Sequence, residues 1–282
     1  PVLAVLAVLI AIYSLTIDGA MAGLKYYLLP DFSKFSASTV LGAIGQMFYS
    51  MSLAMGIMIT YGSYMKRENI LEHSVTQIEV FDTLFAFVAG LMIIPAVVAF
   101  NGGDPSQINS GPGLMFTTLP MVFESMAFGG IVGTVFFLLV LFAALTSSIS
   151  LMETIVSVIM DKTPLGRTAA TLLVTVAALV IGIPSCLGYG PWAGVTIIGM
   201  KFLDFFDFIS NSVLMPIVAV LTCILIGHVV GTKVIADEVK QNGAAFHREK
   251  LHHVMIRWIA PVLLVAILVS ELATKLFGLG TI

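Results

Sequence analysis

The chain has 282 residues, of which 59% are hydrophobic and only 10% charged, with a formal net charge of −3. A soluble domain carries about 25% charged residues, so this composition excludes a water-facing globular fold and implies a polytopic membrane protein. The basic residues are few and scattered, so no nucleic-acid partner is expected. Cys186 and Cys223 fit neither a metal spacing nor a disulfide framework, and Cys223, inside an apolar run, reads as a small buried hydrophobe.

Apolar runs fall at 1–17, 41–65, 77–100, 127–160, 168–187, 203–228 and 254–277. Crossing ~30 Å of hydrocarbon takes ~20 helical residues, so these are seven candidate spans, the first of them short. The chain opens directly on PVLAVLAVLIAIYSL, with no positive n-region and no cleavage site, and therefore reads as part of a longer protein rather than as a signal peptide. Lys66, Arg67, Lys162, Arg167, Lys233, Lys240, Arg248 and Lys250 follow the even-numbered spans, whereas only Lys25, Lys34 and Lys201 follow the odd-numbered ones. The positive-inside rule places the start inside and the C-terminus outside.

Three loops stand out. Residues 18–40 form a long external loop with Asp18, Pro30 and Asp31. Residues 101–126 begin polar and rich in Gly and Pro, then turn apolar, which predicts a lid-like hairpin dipping back toward the membrane. Residues 229–253 carry mixed charges with His247, His252 and His253, and read as a solvated cytoplasmic loop, since no second ligand cluster supports a metal site.

The second run holds GQMFYSMSLAMGIMITYGSY, Gly45–Tyr64. In its middle, Ser52 to Gly56, Ser and Gly weaken helical packing, and Gln46, Ser50 and Ser52 do not belong against lipid. One reading is a helix unwound at 52–56, whose freed carbonyls face a cation and whose restarting helix faces a carboxylate. The other is a polar seam for helix packing. Polar groups recur in later runs. Asp82 lies about two turns into the third, where a carboxylate seeks a cation such as sodium or snorkels to the interface, with Glu79 at that interface. Thr146, Ser147, Ser148 and Ser150 crowd the fourth. Hydroxyls bonded to their own helix are the simpler explanation; an oxygen cage of Thr146 and Ser147 with the Ala143 carbonyl is the alternative. Glu153 follows with no evident partner. Asp204 and Asp207 open the sixth run, either as solvated helix-start acids or as gate acids.

GQMFYSMSLAMGIMITYGSY, LTSSIS after FFLLVLFAA, the LDFFDF helix start and GLMFTTLP together resemble the neurotransmitter:sodium symporter family, over nearly the whole chain and in order. The resemblance implies an all-α membrane bundle with the leucine-transporter-like inverted-repeat fold. Seven of its helices are present, matching the fifth to the eleventh. The first four lie outside this stretch, and an end after the eleventh fits bacterial members that lack a twelfth. It implies a sodium-coupled symporter of amino acids or related amines, multi-pass in the plasma or inner membrane. Tyr49, Ser50, Ser52, Met55, Ser147 and Leu151 match substrate-pocket positions. Ser50 and Asp82 match the first sodium site, and Ala143, Thr146 and Ser147 the second. Asp207 matches the outer gate acid, Asp161 the inner gate acid, and Tyr64 the aromatic that caps it.

Two departures matter. The unwound turn reads Ala54-Met55-Gly56 where Gly-Phe-Gly is common, and flexible Met leaves substrate size open. Ala86 stands where chloride-dependent members carry serine, with Asp82 in place of asparagine, so chloride is not expected to be required. The absent helices complete the sites and gates, so this stretch alone is not expected to transport. A seven-span receptor or sensor, a channel, and an intramembrane enzyme built on Asp82 and Asp161 are the rival classes. The inferred orientation opposes the first, and no protease arrangement supports the last.

Overall fold

A computed structural model of the chain describes residues 2–108 and 111–277. Pro1, the last five residues, and positions 109 and 110 of the 101–126 loop lie outside the described residues. Apart from one bridge between Ile197 and Met200, the regular structure described is helical. Among the described residues, five helices are long and apolar enough to cross a bilayer. They are α5 (Leu71–Phe100), α7 (Gly129–Lys162), α8 (Arg167–Leu187), α9 (Phe202–Val230) and α11 (Glu249–Lys275). The shorter helices are α1 (Val2–Leu15), α2 (Ala20–Leu28), α3 (Ala37–Ser50), α4 (Ile57–Tyr64), α6 (Leu119–Ser125) and α10 (Thr232–Val239).

The first two apolar runs are therefore not single straight spans. The 14 residues of α1 reach only about 21 Å. The chain then bends by 117° into α2, turning at Gly19 with φ of 86°. This corrects the reading of 18–40 as loop throughout. Helix α2 is too short to register as an apolar run, and glycines seat it against α5. A Cβ on Gly23 would lie 2.6 Å from the Pro95 Cα, and the Tyr27 ring covers Gly90. The Tyr27 hydroxyl donates to the Phe87 carbonyl at 3.3 Å. Helix α10 likewise lies in the loop at 229–253, and the third and seventh runs extend at their N-terminal ends to Leu71 and Glu249.

The chain folds into two compact units, one of Pro1–Phe35 with Gln77–Ser148, the other of Ser36–Thr76 with Ile149–Ile282. The first packs Ile10 and Ala11 of α1, Met92, Ala96 and Val97 of α5, Leu119, Val122 and Phe123 of α6, and Phe136 of α7 into one core. Thus the apolar half of the 101–126 loop is a helix buried in that core. The second unit has two smaller cores. One joins Val156 of α7 to Ala170 and Val174 of α8. The other joins Ala219 and Cys223 of α9 to Leu264 of α11, with Phe48 and Ala54 packed against them.

Besides Leu225–Val230 at the end of α9, three wide π-type turns interrupt the helices, at Leu114–Thr118, Phe208–Leu214 and Met255–Ile259. Each ends two residues before a proline, respectively Pro120, Pro216 and Pro261. A proline offers no N–H to the carbonyl four residues back and its ring crowds that carbonyl. Widening the preceding turn relieves both problems without ending the helix.

Candidate functional site

The stretch Gly45–Tyr64 is a helix broken between α3 and α4. Ser52, Ala54 and Gly56 all take positive φ, at 54°, 60° and 80°, a conformation that costs L-residues other than glycine about 1 kcal/mol or more each. The N–H groups of Met51, Ser52 and Leu53 close the last turn on the carbonyls of Met47, Tyr49 and Phe48, at 3.0, 2.9 and 3.2 Å. Beyond them, the carbonyls of Met51, Ser52, Leu53 and Ala54 accept no backbone hydrogen bond among the described residues. Helix α4 then restarts, with Thr60 donating to the Gly56 carbonyl at 3.0 Å. Bare carbonyls on one side of a break and a fresh helix N-terminus on the other make a segment that can face a cation and an anion together.

On α3, Gln46 and Tyr49 line a cavity of about 460 Å³ together with Asp207, Asn211, Ser212 and Glu271. The wide turn in α9 carries Asn211 and Ser212 of this lining. Asn211 donates to the Asp207 carboxylate at 2.6 Å, and Ser212 donates to Glu271 of α11 at 3.0 Å. Glu271 went unremarked in the sequence although it is the acid of the last apolar run. Asp204 stays outside this group and receives the Tyr189 hydroxyl at 3.5 Å.

Helix α4 is tied to α7 by two rungs. Tyr61 donates to the Ser150 hydroxyl at 2.6 Å and Tyr64 to the Glu153 carboxylate at 2.7 Å. Arg167, opening α8, forms an ion pair with the other Glu153 oxygen. Glu153 is thus doubly partnered, correcting the expectation that it lacks a partner. Tyr64, matched to the inner gate, sits on Glu153, and no hydrogen bond joins it to Asp161 among the described residues. The signal for this ladder was available: tyrosines three apart on α4 meet polar residues three apart on α7, one turn on each helix. The Glu153 side chain is 17% exposed and that of Arg167 62%. Glu153→Ala is expected to cost about 1.5–3 kcal/mol, because it strips a charged acceptor from two donors, and Arg167→Ala under about 1 kcal/mol, because its guanidinium is hydrated. Thermal unfolding of the full-length protein in detergent measures both; equal losses would contradict this ordering.

The remaining candidates divide between helices. Asp82 is half-buried on α5. Thr146 and Ser147 lie one turn after Ala143 on α7. The Thr146 hydroxyl donates to the carbonyls of Phe142 and Ala143 at 3.1 and 2.9 Å, the self-bonded arrangement. Ser148 bonds the Leu145 carbonyl at 2.9 Å. Leu151 is exposed on the same helix and Met55 sits in the break. The three histidines serve separate contacts or none that cluster. His247 reaches Glu72 through its backbone N–H and Nδ1, both at 3.1 Å, and His253 meets Thr232 at 2.6 Å.

An uncharacterized sodium-dependent transporter of Haemophilus influenzae is 33% identical over 276 residues, covering 96% of this chain and 58% of the relative. The uncharacterized sodium-dependent transporter YhdH of Bacillus subtilis is 33% identical over 273 residues, covering 96% and 59%. The crystal structure of MhsT in complex with L-phenylalanine superposes with a TM-score of 0.84 at 39% identity, covering 96% of this chain and 60% of MhsT. The chain therefore spans less than two thirds of the length of these relatives. Residues 2–276 match the description of the sodium:neurotransmitter symporter family, and with the broken helix in its place the chain, an integral multi-pass membrane protein of leucine-transporter-like fold, belongs to that family.

Proposed function

We propose that the full protein is a sodium-coupled symporter of amino acids or related small amines, working by alternating access in the plasma or inner membrane. The break at 51–56, with its bare carbonyls and restarting helix, carries this reading. In this proposal Tyr49, Ser50, Ser52, Met55, Ser147 and Leu151 contact substrate. One sodium binds at Ser50 and Asp82, and a second at the Ala143 carbonyl with the hydroxyls of Thr146 and Ser147. Each sodium is cargo, released on the far side, and binding it rotates the Thr146 hydroxyl off its own helix. Asp207 closes the outer side, and Asp161 with Tyr64 the inner side, the latter acting through Glu153. Helices that the longer relatives carry outside the matched stretch supply the opposite wall. Coupling follows when sodium binds the outward-facing state more tightly than the inward-facing one.

Support comes from relatives named sodium-dependent transporters and from the L-phenylalanine in MhsT. The test is uptake of a panel of radiolabelled amino acids by the full-length protein in proteoliposomes with an inward sodium gradient. Saturable accumulation that collapses when the gradient is dissipated is expected; passive equilibration would indicate a channel. Replacing chloride with gluconate is expected to leave uptake unchanged, because Asp82 supplies the fixed negative charge beside the sodium and Ala86 offers no hydroxyl. A large loss would reject that role for Asp82.

A further inference from the structure

Within the first unit, a recess of about 740 Å³ opens between the end of α1, the end of α5 and the joint between α6 and α7. That volume suits a small organic ligand. Asp18 is the only charged residue in its lining, and Tyr13, Phe100 and Phe128 contribute three aromatic rings. The three hydroxyls of the lining each donate to a main-chain carbonyl of a lining residue. Tyr13 donates to the Ala127 carbonyl. Thr16 donates to the Tyr13 carbonyl at 2.7 Å, and Ser125 to the Val122 carbonyl at 2.7 Å. With these three protons committed, the side chains of the recess present acceptors alone: the Asp18 carboxylate and the lone pairs of Thr16 and Ser125. Among the described residues no ion pair or hydrogen bond engages Asp18.

Phe128 adds an independent mark. Its φ is 57°, a strained setting for an aromatic residue, and its side chain is 77% exposed at the mouth of the recess. Strain held in place by surrounding bonds clusters at ligand clamps. Side chains that offer acceptors alone, with aromatic faces and one carboxylate, favour a donor-rich cation on a flat apolar body. It disfavours anions, and it disfavours zwitterions, whose carboxylate finds no side-chain donor here.

The geometry points to this recess as a binding site for a primary aryl-alkyl ammonium ion, separate from the residues proposed for sodium and substrate. The ammonium donates to Asp18, Thr16 and Ser125 while the ring lies against Phe100 and Phe128. Occupancy braces the α6–α7 joint. The reading does not depend on transport, so the test uses binding without any gradient.

Titrating the detergent-solubilised full-length protein with phenethylamine by calorimetry is expected to show saturable binding. Asp18→Asn, which keeps the size and removes the charge, is expected to weaken it about tenfold. Phe100→Leu is expected to weaken it by several-fold, and 3-phenylpropionate, the carboxylate counterpart, is expected not to bind. The proposal is overturned if Asp18→Asn binds phenethylamine as the parent does, if 3-phenylpropionate binds equally well, or if Ser147→Ala abolishes binding while Asp18→Asn does not.

Discussion

A Gly129→Ala protein is expected to unfold far more readily than the parent, while Gly130→Ala, one residue on, behaves like the parent. A Cβ on Gly129 would lie 1.6 Å from the carbonyl oxygen of Phe123, whereas nothing approaches one on Gly130 within 4 Å. The Phe123 carbonyl cannot retreat. It accepts the Met126 N–H at 3.0 Å, and Phe123 itself is buried in the core of the first unit. The turn must therefore open, releasing the Met126 bond, the Gly129 bond to Met126 at 3.1 Å and the Tyr13 hydroxyl on Ala127. A loss of about 3 kcal/mol or more is expected. Gly130→Ala gains helix propensity and is expected to be neutral or to stabilise by about 0.5–1 kcal/mol. Thermal unfolding of the two full-length variants, purified side by side, decides it: equal melting temperatures would show that the joint is more pliable than its bonds imply.

The second large effect concerns sodium. Under the proposed mechanism, Asp82→Ala removes a charged ligand from the first sodium site and is expected to raise the sodium concentration for half-maximal uptake about 100-fold, some 2.7 kcal/mol. Asp82→Asn keeps an oxygen and loses the charge, so a smaller rise of about tenfold is expected. Combining Asp82→Asn with Ala86→Ser restores a neutral pair with a hydroxyl one turn on, and uptake by that double variant is expected to acquire a chloride requirement. A flat sodium response across all three proteins would remove Asp82 from the coupling site.

Much of the helical plan was legible because hydrocarbon imposes length and apolarity on a span, and five runs appear as single long helices at nearly the expected places. The break at 51–56 was one of two readings the sequence left open, because Ser52 and Gly56 interrupt an otherwise apolar run where irregular backbone needs a purpose, whereas the positive φ of Ala54 had no signal in the sequence. What escaped was set by contacts distant in sequence. Helix α2 exists because Gly23 and Gly90 let it lie on α5, and neither glycine signals this alone. The partners of Glu153 stand 89 residues before it and 14 after it. Glu271 became notable only once the widened turn of α9 brought Ser212 to it. The order of motifs identified the family, whereas the contacts among charged side chains required coordinates.

The widened turns also bear on how related chains are aligned. Each holds one residue more than an α-helical turn, so deleting that residue together with loss of the proline would restore regular winding. Register downstream would be preserved, whereas the same deletion elsewhere in a span rotates everything beyond it by about 100°. Gaps of a single residue near Pro120, Pro216 and Pro261 are therefore structurally permissible inside helices where gaps are otherwise penalised. An alignment that forces such gaps out into the neighbouring loops would misassign Asp207, Asn211 and Glu271 by one position and turn their side chains away from the cavity they share.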